Sequence, residues 1–179
     1  TQWATDSFPA NDARTENRYS SNRINTFPHL QNFDSDNGGW VSRTTVSHRY
    51  FHWDDLDYLN GPQGNGKSWF VETSQSNNGT FIWVESPVFD FTGITSPIMT
   101  FDVKHSLHPS DYFHVEYSIN GGTTWTQLGT GTDPYWYNTA NWWSGSYTAP
   151  VNQWRKVQHN LCVVAGQPCV KFRIYGRPY

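Results

Sequence analysis

The run from Asp111 to Trp125 constrains the fold more than any other part of the chain. Tyr112-Phe113-His114-Val115-Glu116-Tyr117-Ser118 alternates with a period of two, the signature of a strand with one face on a core. Phe113, Val115 and Tyr117 are expected to face inward, and His114 and Glu116 outward. Asn120-Gly121-Gly122 supplies the positive φ that a tight turn needs. The segment Thr123 to Leu128 then returns, with Trp125 expected in the core against the first strand.

Other segments repeat the pattern. His48 to Trp53, Ser68 to Thr73, Thr80 to Val84 and Ile98 to Lys104 are rich in β-branched and aromatic residues between Gly, Pro and Asn signals. Residues 154 to 164 and 169 to 175 read as a last hairpin. No stretch carries a helical period of useful length. The expected fold is therefore all-β, an antiparallel two-sheet sandwich. At 179 residues one domain is the default, with 23–179 as the sandwich and the polar residues 1–22 as a linker or arm. Both ends read as cut from something longer, so the chain is expected to be part of a larger protein.

Cys162 and Cys169 flank Val-Val-Ala-Gly-Gln-Pro. A hairpin there would bring them into bonding range, and a disulfide is expected, worth roughly 2.5 kcal/mol by loop closure. Such a bond would indicate an oxidising, extracellular setting. The net charge is −3, and the 12 Lys and Arg are scattered, so no phosphate-backbone surface and no nucleic-acid partner are implied. No apolar run reaches the ~20 residues of a membrane-spanning helix.

Enzyme signatures are missing from the sequence. There is no Gly-x-Ser-x-Gly elbow and no His-Glu-x-x-His. Gly61-x-x-x-x-Gly66-Lys67-Ser68 formally matches a phosphate-binding loop, but it leads into the β-pattern of Trp69-Phe70-Val71 instead of a helix. His48 and His52 lie far apart on a strand. Glu72 and Glu85 are the one carboxylate pair on neighbouring segments, and solvated strand faces explain them equally well.

The outlier is aromatic content: ten Trp, ten Tyr and eleven Phe. Rings concentrate in residues 129–150, a stretch with no sustained period. Long loops of this kind are commonly functional or disordered, and the ring content argues against disorder. Tyr135, Trp136, Tyr137, Asn141, Trp142, Trp143 and Tyr147 form the candidate ligand-binding set. Flat rings stack on the apolar faces of sugars while amides orient hydroxyls. The structural alternative is an aromatic flap covering one end of the sandwich.

Several of these pieces together resemble a known family. They are Phe33-Asp34 followed by Gly39-Trp40, the stretch Trp83 to Phe91 with Ser86-Pro87 and Asp90, and Met99-Thr100-Phe101. The rest are Val115 to Ser118 with Gly121-Gly122 and Trp125, then Trp154 with Val170 to Ile174. The combination resembles the MAM-like, concanavalin-like jelly-roll domains of secreted Bacteroidetes proteins, in particular the cleaved-adhesin type. The resemblance implies a jelly-roll sandwich in a secreted or cell-surface protein. It also implies a noncatalytic glycan-binding or adhesion module, whose partner is a polysaccharide or cell-surface glycan, or a host or neighbouring protein. The alternatives are protein–protein adhesion, a structural accessory role beside a secreted protease or glycanase, or a glycan-active enzyme. The resemblance further implies a structural calcium, which the acidic residue at the opening often helps bind in that family; it maps to Asp34, with Asp36 beside it, and ordinary solvated turns explain both equally well, as a turn hydrogen bond explains Asp90. Such domains usually end on a further strand with paired Asp residues, and this sequence stops at Arg177-Pro178-Tyr179, which reads as truncation or as a last strand supplied by a following segment.

Overall fold

The computed structural model describes residues 23–45, 50–55, 66–71, 80–145 and 153–178. The expected arm over 1–22 therefore lies outside the described residues. The described residues form eleven strands: β1 (Arg23–Ile24), β2 (Val41–Thr44), β3 (His52–Asp54), β4 (Ser68–Phe70), β5 (Ile82–Glu85), β6 (Val88–Phe89), β7 (Ile98–Val103), β8 (Tyr112–Ser118), β9 (Thr126–Gln127), β10 (Arg155–Asn160) and β11 (Lys171–Arg177). The only helical element among the described residues is a 3-10 turn at Cys162–Val164.

The main layer is a five-stranded antiparallel sheet in the order β2-β5-β11-β8-β9. Its register carries the argument. Val84 pairs with Ser42 and Ile174, and Ile174 pairs with Val115, so this row lines the core face. The next row is Thr44, Ile82, Gly176 and Phe113. Gly176 is required there, because a Cβ would meet the Phe113 ring at 2.3 Å and the Tyr112 carbonyl at 2.4 Å. The opposing layer is the antiparallel β7–β10 pair, which places Phe101 beside Val157. Val157, Ile82, Val84, Val115, Phe172 and Leu128 are all buried between the layers. β3 pairs with β4, and Phe51 ahead of β3 reaches the core edge-on to Phe113, with ring centroids 6.0 Å apart. The architecture is thus an all-β, multi-sheet sandwich, as the alternation predicts. It is largely antiparallel; the β1–β6 pair is parallel.

Two expectations need correction. The disulfide is not formed: Cys162 and Cys169 are free thiols. The reason is topological. The expected last hairpin does not exist, because β10 pairs with β7 while β11 pairs with β5 and β8. Residues 161–170 pass from one layer to the other. Cys162 opens the 3-10 turn, and Cys169 precedes Val170, which bridges back to Phe89, so the two are not cross-strand neighbours. Second, Trp125 is not in the core. Thr126 lies opposite Tyr117 and Leu128 N–H donates to the Val115 carbonyl, so 126 and 128 share the core face and Trp125 falls on the other. His114 faces away from the core as expected, and it is only 8 % exposed because rings crowd it on that face.

Candidate functional site

Two regions carry the rings and charges: the loop over 129–145 and the open face of the five-stranded sheet. The loop is a fixed object. Trp136 is fully buried, and Tyr137 and Trp143 are nearly so. The Trp136 and Trp143 rings meet edge-on at 5.7 Å, and both pack edge-on to Phe101. Their polar ends are satisfied. Trp136 Nε1–H donates to the Leu128 carbonyl at 2.9 Å, and the Tyr137 hydroxyl donates to the same oxygen at 2.7 Å. That hydroxyl also accepts Val115 N–H at 3.0 Å, and burial pushes its pKa well above the ordinary tyrosine value. Trp143 Nε1–H and Arg155 Nη2 both donate to the Trp136 carbonyl.

Backbone and side chains close the rest of the loop. Phe113 and Trp143 exchange both main-chain hydrogen bonds, so Trp143 extends the sheet beyond the short β9. Asn138 and Ser144 bond reciprocally through the Asn138 amide. Asp133 accepts Thr130 N–H and contacts His159 Nε2 at 3.2 Å. The Thr130 N–H bond chiefly, aided by His159, holds its carboxyl below the usual value.

The sequence-predicted ligand set therefore divides. Trp136, Tyr137 and Trp143 are packed into the core and present no free face to a ligand. Trp142 is 38 % exposed, and Tyr135 is 80 % exposed. Tyr135 also holds a φ of 63°, a left-handed conformation that costs a non-glycine residue of order 1 kcal/mol. Asn141 is exposed, with its carbonyl accepting the Gln127 amide. Tyr147 lies outside the described residues. Trp142 and Tyr135 leave the loop on different sides. Trp142 packs on Tyr112, centroids 5.5 Å apart, whereas the Tyr135 carbonyl accepts Gln158 N–H from β10.

Tyr112 belongs to the open face, which the sequence reading passed over. The register places Glu85, Arg173, Glu116 and Gln127 in one row, and Arg43, Trp83, Tyr175 and His114 in the next. Arg177 and Tyr112 begin a third row, with Trp142 against Tyr112 at its end. The Arg173 guanidinium lies 4.4 Å from the Trp125 ring centre and 4.5 Å from that of Tyr175. It also pairs with Glu116, whose other oxygen contacts His114 Nε2 at 3.1 Å. Burial pushes the Glu116 pKa up, but the hydrogen bonds and charges of His114 and Arg173 outweigh it, and the carboxyl is held below its usual value. Lys171 pairs with Glu85. Phe81 stacks on Tyr175 at 5.5 Å, and Tyr112 lies parallel to His114. Among the described residues, three buried polar atoms here have no hydrogen-bond partner: Trp83 Nε1, His114 Nδ1 and Arg177 Nε. The signal for this face was in the sequence, as the polar half of each alternating strand. Only the strand order brings 83, 114, 116, 173 and 175 together.

The acidic residues do turn work. Asp36 Oδ1 accepts Gly38 N–H and the Gln31 amide, and Asp34 Oδ2 accepts the Asn32 amide. No group of three or more His, Cys, Asp or Glu side chains is placed to share an ion among the described residues. A calcium at Asp34 and Asp36 would thus depend on backbone and amide oxygens for most of its six to eight ligands. Asp90 accepts Thr92 N–H and pairs with Arg23, the turn arrangement. Gly66 and Lys67 lead into β4, a strand, and the Lys67 ammonium rests over the Trp53 ring. His48, Glu72 and residues 61–65 lie outside the described residues.

No family model matches the chain, and no curated protein matches it by sequence. Among solved structures it is similar to the K1 cleaved adhesin domain of Lys-gingipain from Porphyromonas gingivalis W83. The TM-score is 0.51 at 14 % identity, and the match covers 82 % of this chain and 90 % of that domain. At this identity the likeness establishes the fold, and it agrees with the family that the sequence resembles. No helix among the described residues is long and apolar enough to cross a membrane.

Proposed function

We propose that this chain is a noncatalytic adhesion module of a secreted or surface-exposed protein. In this reading it holds a cell-surface glycan where the 129–145 loop meets the open face of the five-stranded sheet. One observation carries the proposal: Trp142 is exposed while its loop companions Trp136 and Trp143 are buried. A core-forming loop has no packing use for a third indole at the surface, and a ring with an accessible face is what a sugar stacks on. Trp142 is also held in place, since Thr139 accepts its N–H and Tyr112 backs its ring. A preorganised ring loses little entropy on binding. Asn141 beside it supplies an exposed amide for hydroxyls. The adhesin-type fold supports the extracellular setting, which no longer draws on a disulfide.

In the same reading Asp34 and Asp36 would hold a structural calcium that braces the loop ahead of β2. Protein adhesion is the second reading, favoured by the Arg173 guanidinium among Trp83, Trp125 and Tyr175, the residue types of binding hot spots. Affinity electrophoresis in polysaccharide gels separates the readings. Trp142→Ala should lose retention and keep its melting temperature, while Trp136→Ala should unfold earlier. Unchanged retention by Trp142→Ala would move the contact elsewhere, and retention by no polysaccharide would favour the protein partner.

A further inference from the structure

We infer that the glycan is acidic, and that a carboxylate on it seats between Arg43 and Arg177 on the open sheet face. The inference rests on the glycan reading above. It starts from charge. The open face carries four cations, Arg43, Lys171, Arg173 and Arg177, and two carboxylates, Glu85 and Glu116. Lys171 pairs with Glu85 and Arg173 with Glu116. Arg43 and Arg177 are left without a carboxylate among the described residues, so the face is positive on a chain whose net charge is −3.

Position supports the same partner. Arg43 lies opposite Trp83, Trp83 opposite Tyr175, and Arg177 one row further along β11. Two strand spacings and two residues separate the arginine Cα atoms by about 12 Å, within reach of one sugar acid for two arms of this length. Phe81, Trp83 and Tyr175 fill the ground between them. Arg177 and Tyr112 face each other across the β11–β8 ladder, and Tyr112 backs Trp142, so the arginines and the exposed indole belong to one continuous face.

Hydrogen bonding makes an independent case. Trp83 Nε1 and Arg177 Nε are buried N–H donors with no acceptor among the described residues. Native proteins rarely leave such donors unmet, because each costs the desolvation of a polar group. A carboxylate is an acceptor-only group with about four lone-pair positions, and arginine meets it in a two-pronged geometry. A neutral sugar would satisfy fewer donors and neutralise neither charge.

The test measures retention of the full chain in gels containing polygalacturonate, dextran or poly-glutamate, at low and at physiological salt, beside thermal melts. Wild type should be retarded by polygalacturonate and not by dextran, with retention weakening as salt rises. Arg43→Gln, at an exposed position, should weaken affinity about ten-fold at unchanged melting temperature, as loss of a charge-assisted bond does. Arg177→Lys should retain more affinity than Arg177→Gln, which controls for any packing cost at that half-buried site. Equal retention by dextran, unaffected by the arginine variants, would overturn the acidic assignment and leave the glycan reading standing. Poly-glutamate binding as tight as polygalacturonate would overturn the sugar, and retention by none of the three would overturn both.

Discussion

Replacing Trp136 by alanine is the sharpest probe of how the aromatic loop is built. The ring is fully buried and touches Phe101, Tyr137, Trp143 and His159, with centroids 4.9 to 5.7 Å away. Truncating a buried Trp to Ala costs about 3 to 5 kcal/mol, from lost transfer energy and the cavity left behind. The cavity here should collapse poorly, because its walls are held separately: Tyr137 through Val115 and Leu128, and Trp143 through the edge of β8. Loss of the Nε1–H bond adds about 1 kcal/mol and no more, since the Leu128 carbonyl keeps the Tyr137 hydroxyl as donor. The expected total is about 4 to 6 kcal/mol, read as a shift in urea midpoint at constant slope. Trp142→Ala, measured in parallel, should stay within about 0.5 kcal/mol of wild type, as exposed substitutions do. A loss under about 1 kcal/mol for Trp136→Ala would refute the claim that the loop is anchored by its buried rings.

Other consequences follow from the same geometry. Trp125→Ala strips one ring from the Arg173 stack on a half-exposed face, so its cost in denaturant unfolding should be about 1 to 2 kcal/mol instead of a core value, and 4 kcal/mol would return Trp125 to the interior. Glu116 has a folded pKa below its ordinary 4.5, so its contribution is complete above 4.5 and lost as pH falls through the lower folded value. Glu116→Gln should flatten the melting-temperature profile in that acidic window, and an unchanged slope would show the pairing with His114 and Arg173 to be energetically idle. Asp36→Ala removes the acceptor of Gly38 N–H and should cost about 1 kcal/mol in the presence of chelator. The calcium proposal adds that calcium raises the melting temperature and that Asp34→Asn abolishes the rise; equal melts with and without the ion would reject it.

The strands were legible because alternation is a local signal. Phe113 and Val115 on one face, with His114 and Glu116 on the other, follow from residue order alone, and the register confirms the split. What alternation cannot encode is which strand lies beside which. That is why 154–164 and 169–175 looked like one hairpin around two cysteines, although β10 and β11 belong to different layers. The Trp125 error has the same origin: a side-chain period of two makes a one-residue difference in register a change of face. The aromatic loop was legible as unusual but not as divided. Trp136, Trp142 and Trp143 are the same residue type in one irregular stretch, and only the sheet edge that Trp143 joins sends its neighbour's ring outward. The open-face rows, spread over residues 43 to 177, needed the strand order before they existed as a surface at all.

The central claim is that a glycan is held at the exposed corner of this loop, and a glycan array probed with wild type and Trp142→Ala tests it most directly. The account predicts that wild type marks a set of acidic glycans, and that Trp142→Ala, folded to the same melting temperature, marks few or none of them. An array left blank by well-folded wild type, or a pattern unaltered by the substitution, would contradict it.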